Sequence, residues 1–289
     1  MWVHVARLLD RELEIRNAER VDELRKYRVA IRRLRSALRV FGLALPKGPA
    51  GRLRRGLGDL GDAVGAIRDA DVRIANATAY GTAALGGLEL LGPLITTWRA
   101  DRERAYARLI RRIDSGRHRR WLGRLGTFVQ EPPEVPEGSA RGPGATVRGS
   151  AAAHIWLAYE RVRGYSAIVP SAGLVELHQL RTETKRLRYS LEFLADIRGP
   201  ERASLIAAVT GLQDHLGAIN DAAVTIVAIK VFVERQGESI ATAERAAIDG
   251  YLAEREGELD RLRQTIGRAW SPVASETFAR RLGRTVVIV

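Results

Sequence analysis

Apolar residues recur along this chain at helical intervals almost from end to end. Leu24, Ile31, Leu34 and Leu38 fall on one arc, and Leu53, Leu57, Leu60, Val64 and Ile67 follow at steps of three and four, the spacing that gathers one face of an α-helix. The pattern predicts helices over residues 2–17, 20–42, 50–80 and 88–129, the last broken near Gly116. Further helices are predicted over 151–164, 172–197, 201–235, 238–268 and 273–283. Gly42 and Pro46 close the second of them. Residues 131–150 hold four prolines, four glycines and no apolar period, the signature of a linker. Strand signals are confined to residues 285–289, TVVIV. The class is therefore all-α, with antiparallel helices packed in bundles, residues 1–130 forming one half and 151–289 the other.

The two halves repeat each other. Residues 27–41, YRVAIRRLRSALRVF, align without a gap on residues 180–194, LRTETKRLRYSLEFL, pairing Arg28 with Arg181, Arg33 with Arg186, Leu34 with Leu187, Arg35 with Arg188 and Leu38 with Leu191. Arg32 is matched by Lys185. A second segment, VGAIRDADV at 64–72, recurs as LGAINDAAV at 216–224, identical at six of nine positions. The offsets are 153 and 152 residues, and two motifs at nearly one offset define an internal duplication.

A repeat that keeps its arginines points to a duplicated site. At about 100° per residue, His178, Arg181, Lys185 and Arg188 share an arc of about 80° that borders the arc of Leu177, Leu180, Leu187 and Leu191. Arg25, Arg28, Arg32, Arg35 and Arg39 form the matching stripe in the first copy. Arg33 and Arg186 lie off the stripe and read as structural. A single such helix is ordinarily a solvated face whose arginine stems cover the core. Stacked like charges cost a few tenths of a kcal/mol per pair, so their recurrence calls for an anion to offset them.

Charge narrows that anion. The 289 residues carry a net charge of +13. Residues 1–130 hold 27 Lys+Arg against 14 Asp+Glu, whereas residues 131–289 hold 20 of each. Nearly all the excess is arginine, whose planar fork suits phosphate oxygens. There are no cysteines, which removes disulfides and thiolate chemistry. No apolar run approaches the roughly 18 residues of a membrane span, and the charged start is unlike a signal peptide. These features lead to the expectation of a cytoplasmic protein with no membrane association.

The pattern H-x-x-R-x-x-x-[RK]-R-x-R at His178, Arg181, Lys185, Arg186 and Arg188 resembles the defining motif of the CHAD family, the conserved histidine α-helical domain. The first half carries it at Arg28, Arg32, Arg33 and Arg35, with Arg68, Asp69 and Asp71 downstream. The resemblance implies two four-helix bundles related by a pseudo-twofold, with basic helices facing a central cleft or pore. It also implies non-enzymatic binding of inorganic polyphosphate, with association to polyphosphate granules and no cofactor. By position, that role falls on Arg28, Arg32, Arg35, His178, Arg181, Lys185 and Arg188, with Asp69, Asp71 and Asp221 orienting the arginines. Arg25 stands where the first copy would have its histidine, which weakens any paired-histidine metal site and leaves phosphate binding intact.

Two other functions meet the same charge pattern. A nucleic-acid binder would want aromatics interleaved with the stripe as stacking platforms, and they are scattered instead. A phosphohydrolase would want a metal-holding carboxylate set or a phosphate-cradling loop. Asp69, Asp71, Asp221 and Asp214 beside His215 do not recur as such a set in both halves. The scattered tryptophans Trp2, Trp98, Trp121, Trp156 and Trp270 read as core anchors.

Overall fold

The computed structural model describes residues 2–16, 21–40, 45–130, 147–193 and 201–287. These residues form α1 (Trp2–Arg16), α2 (Val21–Val40), α3 (Lys47–Ala84), α4 (Gly92–Ile113) and α5 (Gly116–Gln130). They continue as α6 (Val147–Arg163), α7 (Leu174–Phe193), α8 (Arg202–Gln236), α9 (Thr242–Ala274) and α10 (Glu276–Val287). No strand occurs among them. Residues 131–146 of the expected linker, with Gly42, Leu194, Ile288 and Val289, lie outside the described residues, and residues 147–150 open α6 instead.

The strand signal near the end is overruled. Thr285 to Val287 continue α10, with the Thr285 hydroxyl donating to the Arg281 carbonyl at 2.9 Å. β-Branched residues lose only a few tenths of a kcal/mol in a helix. Burial of Phe278 and Leu282 against α6 to α9 is the larger effect.

Successive helices pack side by side, α1 on α2, α2 on α3 and α3 on α4, then α6 on α7, α7 on α8 and α8 on α9. One core gathers Leu8, Ile15, Tyr27, Leu34, Leu57, Ile67, Leu109 and Leu125 from α1 to α5. A second gathers Tyr159, Val162, Leu180, Leu187, Leu212, Leu216, Ile266 and Leu282 from α6 to α10. The apolar arcs predicted for α2 and α7 are the buried ones: Leu24, Ile31, Leu34 and Leu38 in one, Leu177, Leu180, Leu187 and Leu191 in the other.

A third core joins the halves. Ala77, Leu91, Ile95 and Trp98 meet Ile229, Phe232, Ile248 and Tyr251. Glycines of positive φ sit in the turns beside it. Gly86 follows α3 with φ of +71°, and Gly237 follows α8 with φ of +53°, conformations that cost a side-chain-bearing residue about 1 kcal/mol or more. At Gly81, a Cβ would meet the Gly87 carbonyl at 2.9 Å, so the chain can fold back closely only over a glycine.

Two expectations need correction. α8 contains an 18-residue window of mean hydropathy 1.8, long and apolar enough to cross a membrane by length and composition. Of that window 39% is buried, and Leu205 to Phe232 contribute to the second and third cores. Trp98 and Trp270 are buried anchors, but Trp2 is 51% exposed and Trp156 38%.

Candidate functional site

α2 packs on α7, and α3 on α8. Each basic stripe borders its apolar arc, so packing the arcs into the two cores turns the stripes toward each other. They enclose a cleft of about 610 Å³. Arg28, Arg32, Arg35 and Arg39 line it from α2, and His178, Arg181, Lys185 and Arg186 from α7. α3 adds Arg68, Asp62 and Asp69, and α8 adds Asn220. Eight cationic side chains thus face two carboxylates in the lining, and Asp221, Glu183 and Glu192 stand just behind it, so cations outnumber the carboxylates around the cleft.

Crowding like charges in a half-buried space is costly, and the titration of the groups records it. Lys185 is pushed down to about 8, first by burial and then by Arg181, Arg28 and Arg68. Burial lowers Arg28, with Arg68 adding to it, and also lowers Arg181 against the pull of Asp221. Arg39 falls to about 10 through burial and the nearness of Arg186 and Arg35. The buried Nε–H of Arg181 has no acceptor among the described residues, a cost of about 1–3 kcal/mol that an anionic ligand can relieve.

The surrounding groups fix the cations in place. Asp221 lies 3.8 Å from Arg68 and 4.0 Å from Arg181, and Asp69 accepts from Arg68 at 3.3 Å. The Nδ1–H of His178 donates to Asn220 Oδ1 at 2.9 Å, and Asn220 donates to Asp221 at 3.4 Å. Arg32 lies over the Tyr189 ring at 4.9 Å, within cation–π reach, and 3.9 Å from Glu192. Gly61 allows Arg35 to pass close to α3, since a Cβ there would sit 3.1 Å from its Nη1.

Not every residue of the sequence pattern reaches the cleft. Arg25 and Arg33 are exposed and outside the lining. Arg188 turns away to lie over Tyr189 at 5.2 Å and 3.4 Å from Glu192. Asp71 accepts from Arg102 Nε at 2.6 Å, tying α3 to α4 on the other side of the helix. Arg186 does line the cleft, with its guanidinium held by Glu183. Among the lining residues missing from the sequence-derived set are Asp62, Tyr189, Arg68 and Asn220, and the last two stand out. They are counterparts in the second repeat, each directly before its aspartate, so the repeat that singled out Asp69 and Asp221 contained them.

The remaining histidines serve packing. His118 is 5% exposed and meets Glu12 at 2.9 Å, and Tyr27 donates to the same carboxylate at 3.2 Å. His215 bonds the Leu262 carbonyl at 2.8 Å, joining α8 to α9. Burial lowers both His4 and His154. Among the described residues, no three His, Asp or Glu side chains come together as a metal-holding group.

This fold and basic cleft place the molecule in a known class. The chain belongs to the CHAD domain family, whose sequence model matches residues 1–230. Its structure is similar to the CHAD domain from the plant Ricinus communis, with a TM-score of 0.70 and 24% identity over 91% of this chain and 88% of that one. It is also similar to PptA from Streptomyces chartreusis, with a TM-score of 0.72 and 19% identity over 93% and 95%. At these identities the likeness speaks to the fold. No curated protein matches.

Proposed function

We propose that the chain binds inorganic polyphosphate in the cleft between α2 and α7 and leaves it intact. The observation that carries this is the convergence of eight cationic side chains from two repeated helices and α3 on one cleft with two carboxylates. A chain of phosphates presents charged oxygens at every unit, and guanidinium groups along both walls meet them with charge-assisted hydrogen bonds worth about 1.5–3 kcal/mol each. The reading extends to a cytoplasmic protein that associates with polyphosphate granules. Holding rather than cleaving is supported by the lining carboxylates, Asp62 and Asp69, the latter already hydrogen-bonded to Arg68.

Nucleic acid is the second reading, favoured only by the charge itself. The cleft's one tyrosine, Tyr189, is occupied by the Arg32 guanidinium, which leaves little for base stacking.

Titration of long-chain polyphosphate at several salt concentrations tests the proposal. Eight phosphate contacts give a log–log salt slope of about −6, borrowing the single-strand coefficient. Duplex DNA and triphosphate should displace the long chain weakly. Equal or tighter binding of DNA would overturn the assignment, and shortening of the chain during incubation with Mg²⁺ would replace binding with hydrolysis.

A further inference from the structure

A second concavity lies apart from the cleft. A groove of about 970 Å³ runs between the first half of α3 and α5. Its floor is apolar, with the half-buried Trp121 above the buried Leu53, Leu60 and Phe128 of the first core. The edge of the Trp121 indole rests on Gly56, where a Cβ would lie 2.1 Å from Nε1, so a glycine in α3 lets the floor form. Both rims are basic. Arg52 and Arg55 stand on the α3 side, and Arg117, Arg120 and Arg124 on the α5 side. None of these five has an ion-pair partner among the described residues, and the lining's one carboxylate, Asp59, is held by Arg112 at 2.8 Å.

The distribution of charge selects among ligands. On α5 the arginines recur at i, i+3 and i+7, close to one per turn, and the arginines of α3 face them across the floor. A nucleotide or other small phosphorylated compound concentrates its charge at one end, whereas these cations run along both edges. A bare phosphate chain has no use for an apolar floor. Nucleic-acid bases would need an open aromatic face, and His118 stacks on Trp121 at 5.5 Å. What fits is a rod with an apolar ridge flanked by carboxylates repeating every turn. From Ser115 to Phe128 the groove spans about 20 Å, the length of about 13 residues of helix.

We infer that the α3–α5 groove docks an acidic amphipathic helix of a partner protein, its leucine-type ridge on Trp121 and its carboxylates on the two arginine rims. This is the helix-in-groove mode, in which buried apolar anchors supply affinity and rim charges set register and association rate. It stands independently of the polyphosphate reading, since the groove and the cleft share no lining residue.

The probe is a fluorescein-labelled synthetic peptide of about 16 residues with leucines on one helical face and glutamates on both flanks. Its control has the same composition shuffled to destroy the ridge. The full chain should bind the amphipathic peptide saturably and the shuffled one at least about tenfold more weakly. Arg120→Glu/Arg124→Glu, both at exposed positions that leave the core untouched, should weaken binding at least about tenfold. Arg28→Ala/Lys185→Ala in the cleft should leave it unchanged. Equal binding of the two peptides reduces the groove to a general anion surface and overturns the inference. So does undiminished binding by the Arg120/Arg124 variant, or loss of binding in the cleft variant instead.

Discussion

Arg68 on α3 reaches across to Asp221 on α8, 3.8 Å away, while its own neighbour Asp69 is the residue that Asp221 repeats. The two copies of one motif are therefore interlocked, with a cation of the first half shared between the carboxylates of both. Asp221 also stands 4.0 Å from Arg181, so it positions one arginine from each half.

Asp221→Asn should separate attraction from orientation. Removing a negative charge raises the cleft's positive potential and leaves the association rate equal or higher. Arg68 and Arg181 lose their anchor, and dissociation should quicken by about three- to tenfold, equivalent to roughly 1 kcal/mol. Surface-immobilised polyphosphate with separate on- and off-rates checks this. Asp71→Asn should leave both rates alone and cost about 1–2 kcal/mol of stability through the lost Arg102 bond.

Lys185 should make binding pH-dependent. Its ammonium is held down to about 8 in the free protein, and a polyanion beside it favours the charged form. Binding above pH 8 therefore takes up a proton, and affinity falls as pH rises through that value, by up to about tenfold per unit. Calorimetry in two buffers of different ionisation enthalpy would register the proton, and Lys185→Arg should abolish the effect. The unliganded protein behaves oppositely. Its lowered Lys185 means the unfolded chain holds more protons between pH 8 and the ordinary lysine value, so this residue's contribution to stability rises with pH across that window.

His118→Leu should be a stability variant alone. It takes one hydrogen bond from the buried Glu12 carboxylate, which keeps that of Tyr27, and losing such a bond in the core costs about 1–3 kcal/mol. Urea denaturation should show the loss, with polyphosphate affinity unchanged.

Gly86→Ala and Gly237→Ala should each cost about 1 kcal/mol through their positive φ. Thermal melting of each variant is the check.

The helices and their buried arcs were legible because periodicity acts within one helix, whereas the facing of the two stripes was expected only from the family resemblance. Contacts made between distant segments were not. Asp69 and Asp71 look equivalent in the sequence, yet two residues of helix separate them by about 200°, and only Asp69 faces the cleft. Arg188 matches Arg35 in the repeat but turns to Glu192 and Tyr189, a local partnership the first copy lacks. Glu12 and His118 lie 106 residues apart, and nothing in either neighbourhood announces the other. Arg68 and Asn220 sat inside a recognised repeat but differ from each other, and comparing copies by identity passes over positions where the copies have specialised.

The third core has a mechanical meaning. α3 and α8 carry the cleft at Arg68 and Asn220 and then, about two and a half turns further on, enter the seam at Ala77 and Ile229. The same two rods line the binding space and are clamped together beside it. The gap between the walls is thus set like a caliper locked at one opening, and under the proposed function a polyanion would be gauged against a width set before it arrives.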